Sequence, residues 1–250
     1  MDCFPDTSWD PELEQIEHLI SSSEVRDSGL IPDASNYVFL LELDGGKAGK
    51  GYAVYKPMQG ETPLWDFPPF LYKREAACYI VSKALGWNLI PPTVVREEGL
   101  AYGMGSVQLY IPTNHNRTFF DLRDANADIM RQFATFDYLI NNADRKGGHI
   151  IQGENGRIWG IDNGLSFHVE EKLRTVIWDY AGESIAPNLI GDLERLASEI
   201  IVNKPLKHSL SQFLDIDEIH MLRTRALAII KNPLFPHPPN WRRPYPWPLI

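Results

Sequence analysis

Leu13, Ile16, Leu19 and Ile20 fall on one face of a helix over residues 11–22, opened by Pro11. A polar stretch through Asp33-Ala34-Ser35-Asn36 gives way to residues 37–43, whose aromatic and β-branched side chains predict a strand. Residues 44–50 carry turn chemistry and 51–56 read as a second strand, so the pair forms a hairpin with a loose loop. Pro57 ends it. A connector rich in proline and aromatics, 61–70, leads into a stripe of Ala76, Ala77, Ile80, Val81, Ala84 and Leu85. That stripe predicts a helix over 73–85 stopped by Gly86. Short strands are expected at 93–96 and 106–111.

The pattern then changes. Ile129, Phe133, Phe136 and Ile140 recur at helical spacing over 127–140. Two short apolar segments, 148–151 and 157–161, flank the turn Gly153-Glu154-Asn155-Gly156, and further helices are expected at 187–201 and 215–230. The order is a β-rich lobe (1–111) and then a mainly helical lobe (112–250) ending in a proline-rich tail, 233–250. On its own it supports an α+β domain of two lobes.

Composition narrows the function classes. The 250 residues are 44% hydrophobic and 23% charged, enough apolar material for a real core. Uncharged runs are far shorter than the ~20 residues of a membrane span, so no integral membrane association is expected. The acidic start, Met1 to Asp6, lacks a signal-peptide pattern, and two cysteines cannot build a disulfide framework. A cytoplasmic location is the expectation. The net charge of −9 argues against nucleic acid as a partner, because such surfaces need a basic face.

The candidate chemistry lies in Asn141-Asn142-Ala143-Asp144-Arg145-Lys146-Gly147-Gly148-His149 and in Gly160-Ile161-Asp162-Asn163-Gly164. An apolar helix ends in an Asp-Arg loop, and a hairpin leads to a second Asp after an apolar strand. Kinases present a catalytic-loop Asp and a metal-binding Asp on either side of a cleft in this way. Upstream, Lys56 closes an apolar strand and could neutralise nucleotide phosphates. Glu75, nineteen residues on, could fix the lysine's direction by an ion pair.

These motifs resemble the phosphatidylinositol 3- and 4-kinase superfamily, its type II branch and the related HipA-type bacterial kinases above all. The similar residues are Tyr55-Lys56-Pro57, Arg74-Glu75-Ala76-Ala77, Gly105-Ser106-Val107-Gln108-Leu109, Asp144-Arg145 and Ile161-Asp162-Asn163-Gly164-Leu165. Small bacterial members of that group share the connector Pro63 to Pro68 and the tail Tyr245-Pro246-Trp247-Pro248. The resemblance implies a two-lobed, protein-kinase-like (atypical kinase) fold using ATP with Mg²⁺ or Mn²⁺. It makes Lys56 the phosphate lysine, Glu75 its partner, Asp144 the catalytic Asp and Asp162 the metal ligand. Arg145 joins Asp144 in the catalytic loop. Ser35 and Asn36 would occupy the phosphate-covering turn. The hinge around Gln108, with the backbone from Leu109 to Ile111, would receive adenine. The family pattern has an Asn five residues after the catalytic Asp, where this chain has His149. A neutral imidazole there could be a second metal ligand that favours borderline ions.

Plainer readings stand beside these. A lysine at a strand end is commonly a solvated edge residue, and Asp162-Asn163-Gly164 is ordinary turn chemistry. His149 is read equally as a ligand or as a satisfied core histidine. Arg145 could hold the loop by hydrogen bonds instead of touching substrate. Lys172 and Arg174 could read an anionic acceptor or simply be solvated. The aromatic tail, Trp241 to Trp247, reads as a strap along the helical lobe, with a proline-motif ligand as the alternative. The expected activity is ATP-dependent phosphoryl transfer to the hydroxyl of a protein, small-molecule or lipid acceptor. The alternative is a nucleotide-binding pseudokinase that signals without catalysis, and AMP transfer is a third possibility.

Overall fold

The computed structural model describes residues 4–32, 36–113, 117–201 and 204–250. Its first half is a five-stranded antiparallel sheet, in the order β1-β2-β3-β5-β4. These strands are β1 (Glu24–Leu30), β2 (Phe39–Asp44), β3 (Lys50–Pro57), β4 (Thr93–Arg96) and β5 (Gly105–Leu109). Along β3 burial alternates: Ala53 and Tyr55 point into the core, and Lys56 lies on the opposite face. Gly105 of β5 pairs with Pro57, and a Cβ there would stand 2.3 Å from the Lys56 carbonyl oxygen. Only glycine lets β5 approach β3 where the lysine emerges.

Strand β1 is absent from the sequence expectations. Its residues are mostly exposed, so no alternation marks it, and pairing with β2 through the backbone holds it in place. Helix α1 (Ile16–Ser22) is shorter than expected. Ile16, Leu19 and Ile20 are buried, but Leu13 lies outside the helix and is exposed.

Helix α2 (Leu71–Leu85) ends as anticipated, with Gly86 left-handed at φ 75° and its N–H on the Lys83 and Ser82 carbonyls. It lies between β3 and β4 in sequence yet shares its core with the helical half. Ala77, Cys78, Val81 and Leu85 share one core with residues of α4 (Ala127–Ile140), α5 (Pro187–Glu199) and α7 (Ile216–Lys231). A buried Arg74–Glu218 ion pair ties α2 to α7. Trp87 Nε1, just beyond α2, donates to Asp192 of α5 at 2.8 Å. The sheet's own core takes in Trp159 and Ile151 from the small hairpin of β6 (Ile150–Gln152) and β7 (Ile158–Gly160). That hairpin therefore closes against both lobes.

Two short helices were not read from the sequence, α3 (Phe119–Leu122) and α6 (Pro205–Leu210). Each spans too few residues for an apolar period to emerge. Among the described residues no helix is long and apolar enough to cross a membrane. The tail is held chiefly through its backbone: the Pro244 carbonyl accepts from Thr175 N–H at 3.1 Å and Trp178 Nε1 at 3.2 Å. Leu249 O accepts from Gly147 N–H at 2.7 Å, so the strap reaches the loop after α4. Trp241 and Trp247, which the strap reading would bury, are largely exposed.

Candidate active site

Lys56, Glu75 and Asp162, far apart in sequence, meet where β3, α2 and the end of the small hairpin converge. Lys56 Nζ forms an ion pair with Glu75 and another with Asp162 Oδ1 at 2.7 Å. Burial alone would lower the lysine's pKa, but the two carboxylates outweigh it and hold the ammonium above its ordinary range. Glu75 is almost fully buried, and its other oxygen accepts the Asn163 N–H at 2.9 Å. Glu75 thus fixes both the lysine and the turn that carries Asp162.

Asp162 follows β7 in a left-handed conformation, φ 56°, and its carboxylate opens to the cleft. The Lys56 charge holds that carboxyl well below the usual range, against the opposing effect of burial. On its other side Asp162 Oδ2 lies 3.2 Å from His149 Nε2. The Nδ1 of that ring accepts the Lys146 N–H at 3.4 Å, which places the imidazole proton on Nε2, facing the carboxylate. Burial lowers the His149 pKa to about 4, outweighing the opposing pull of Asp162, so the ring is neutral. In this tautomer Nε2 carries its proton beside the Asp162 carboxylate, a close contact without an aligned hydrogen bond, and has no lone pair for a metal.

Asp144 stands in the loop that follows α4. Asn141 caps the helix in the left-handed region, φ 55°, and Asn142 Oδ1 accepts the Asp144 N–H at 2.9 Å. Burial raises the Asp144 pKa to about 6, with Lys146 (Nζ 3.4 Å from Oδ2) opposing and Asp162 adding to the rise. Lys146 pairs with Asp144 and gives its N–H to the His149 ring, which in turn lies against Asp162, so the two carboxylates belong to one neighbourhood.

The grouping of Arg145 with the catalytic residues needs correction. Its side chain is wholly buried, with Nε 3.0 Å from Asp137 Oδ1, a second nitrogen 3.0 Å from the Ile161 carbonyl and the third 2.6 Å from Asn163 Oδ1. It joins α4 to the Asp162 turn and cannot touch a substrate. It is a positioning residue.

The Gln108 side chain is buried and donates to Thr93 Oγ1 at 2.8 Å, so it braces β5 against β4. Of the three hinge amides, Leu109 N–H is given to Pro92 O and Tyr110 N–H to Tyr52 O. The Ile111 amide meets no acceptor among the described residues. Asn36 Oδ1 accepts the Thr62 N–H at 2.8 Å and ties the turn after β1 to the connector. Ser35 lies outside the described residues.

Sequence reasoning passed over Asp137, Asn142 and Asn163 as functional residues. Asp137 left a signal: it lies one turn beyond Phe133 on the apolar face of α4, where a lone charge requires a buried partner. For a divalent ion, Asp162 and Asp144 offer hard oxygen donors. Among the described residues no three His, Cys, Asp or Glu side chains converge to hold a metal unaided. That donor set fits Mg²⁺, which is held by one or two carboxylates together with substrate phosphates and water.

Sheet, intervening helix, helical half and cleft constellation together make this a protein-kinase-like fold. It is similar to hydra Fam20 (TM-score 0.58, 17% identity, 90% of this chain and 89% of that one). The Golgi casein kinase with Mn/ADP bound is also similar (0.56, 15%, 87% and 74%), as is the Helicobacter pylori proinflammatory kinase CtkA (0.50, 12%, 86% and 94%). No family model matches the chain. Protein Rv2133c of Mycobacterium tuberculosis is 38% identical over 275 residues, covering 95% of this chain and 97% of that protein. The chain belongs to the family of Rv2133c.

Proposed function

We propose that the protein is an ATP-dependent phosphotransferase acting on a hydroxyl acceptor. One observation carries this reading: Lys56 is held by Glu75 and Asp162, and the desolvated carboxyl of Asp144 is close enough to Asp162 to feel its charge. Lys56 would meet the nucleotide phosphates, with its direction set by Glu75. Ile111 N–H and neighbouring hinge carbonyls would receive the adenine edge. Asp162 would hold the divalent ion, which when bound supplies positive charge against the phosphates, and His149 would orient that carboxylate. Asp144 would accept the acceptor hydroxyl's proton as its oxygen bonds to the γ-phosphorus. The P–O bond to ADP breaks, and ADP leaves with the electron pair. Nucleotide and Mn²⁺ use is supported by the fold likeness to the Mn/ADP-bound Golgi casein kinase. The more specific likeness, to the phosphatidylinositol 3- and 4-kinase group, rests on the five ordered motifs.

The test is transfer of label from γ-labelled ATP with Mg²⁺ or Mn²⁺. Lys56→Met should retain the fold by circular dichroism and lose most transfer, on the order of 10²-fold or more if it stabilises developing phosphate charge. Full transfer by Lys56→Met would sink the reading. A second reading, a nucleotide-binding pseudokinase, is favoured by His149, whose protonated Nε2 faces Asp162 where the family pattern offers an asparagine ligand. Nucleotide binding with neither transfer nor hydrolysis would establish it.

A further inference from the structure

Resting on the phosphotransferase reading, we propose that Lys172 and Arg174 form a site for a phosphate-type oxyanion on the acceptor. In this structure Asp66 occupies that site as an internal place-holder. Arg174 is built into the catalytic loop: its N–H donates to Asn142 O at 2.9 Å, and its carbonyl accepts the Arg145 N–H at 3.0 Å. Both partners flank Asp144. Lys172 is anchored next to it, with its N–H on Asn141 Oδ1 at 2.9 Å. Two cationic side chains therefore issue from the segment that lies alongside the proton-accepting carboxyl.

The group facing them comes from the other lobe. Asp66 Oδ2 stands 3.8 Å from Lys172 Nζ and 3.7 Å from an Arg174 guanidinium nitrogen. Glu170, largely exposed, lies 3.4 Å from Lys172. Charge-assisted N–H···O contacts close to ~2.7–2.9 Å, so a single carboxylate oxygen spans these cations without engaging either fully. A tetrahedral oxyanion has an oxygen for each, and the forked guanidinium matches it.

The connector is shaped to hold Asp66 there. Glu61 accepts the Phe70 and Tyr72 N–H groups at 3.0 and 2.9 Å, clamping the loop's ends together. Between them Phe67 is buried, its ring centred 5.2 Å from His168 and 5.5 Å from the Arg74 guanidinium. Asp66 immediately precedes this anchor, and on its other side Trp65 is 95% exposed. An acceptor whose oxyanion displaced Asp66 would bring a nearby hydroxyl to Asp144. That carboxyl would take the proton as the oxygen bonds to the γ-phosphorus and ADP departs with the electrons of the broken P–O bond.

Titration calorimetry of the full chain with inorganic phosphate tests this. Lys172→Ala with Arg174→Ala should weaken binding about 10- to 100-fold, the range for losing charged hydrogen bonds. Asp66→Asn should tighten it several-fold, a gain that damage to the fold cannot produce. With a non-hydrolysable ATP analogue saturating the nucleotide site, the phosphate affinity should be unchanged, which separates this site from the nucleotide phosphates. Acetate should bind more weakly than phosphate. A phosphate affinity indifferent to Asp66→Asn and to the double alanine variant would overturn the proposal, as would equal binding of acetate. Labelled-ATP binding in the same samples separates the two readings. If it is absent while phosphate follows Asp66, the kinase reading fails alone; if ATP is turned over while phosphate is indifferent, the oxyanion site fails alone.

Discussion

At the residue scale the site works by setting two carboxyls apart. Asp162 is held ionised by Lys56, whereas burial brings Asp144 to about 6, where it can take a proton near neutrality. Activity of the free enzyme, as kcat/KM, should therefore rise as pH increases through about 6. Lys146 opposes the shift, so Lys146→Met should move that acid limb to higher pH. A limb unmoved by this change would remove Asp144 as its source. Burial excludes His149 as the source of that limb, because the ring stays neutral down to about 4. His149 bears on stability instead. An unfolded histidine takes its proton near 6.5 and the native one near 4, so the unfolded state binds more protons between those values. Stability is then full above 6.5 and falls as pH drops through that window. Urea midpoints at pH 7 and pH 5 should differ less for His149→Asn than for the parent chain.

At the element scale the loop after α4 and the turn after β7 are one rigid piece, because Arg145 bonds to both and to Asp137 beneath them. The charges of Arg145 and Asp137 are wholly buried, so removing one leaves the other uncompensated. Arg145→Met should cost about 3–5 kcal/mol of unfolding free energy, read by chemical denaturation. A cost under about 1 kcal/mol would mean that the loop is held by its backbone bonds alone. The elements themselves were largely legible. The helix over α4 follows from apolar spacing, the strand expected at 51–56 is present as β3, and Gly86 stops α2 for the reason the sequence suggests. Strand β1 was not legible, because an edge strand exposed on most positions has no hydrophobic pattern to read.

At the scale of the whole molecule, α2 is the hinge piece: it carries Glu75 toward the sheet while its other face and Arg74 belong to the helical half. Glu218→Gln keeps an acceptor for the Asp215 N–H but leaves Arg74 buried without its counter-charge. It should lower stability by about 3–5 kcal/mol and weaken nucleotide binding in the same variant, measured by denaturation and by ATP titration. Loss of stability with nucleotide affinity intact would show that Glu75 holds its place without α7. The sequence by itself marked most of the elements and singled out Lys56, Glu75, Asp144 and Asp162, through local spacing and the resemblance of their motifs. Only tertiary structure decided which of those groups are charged, buried or free. Arg145 became a strut because Asp137 and Asn163 close around it, and His149 came to face Asp162 with its Nε2 because the Lys146 amide takes its other nitrogen. Asp66 came to face Lys172 and Arg174 because a connector more than a hundred residues upstream folds across the lobes. Burial and partnership depend on neighbours distant in the chain, and no local pattern encodes them.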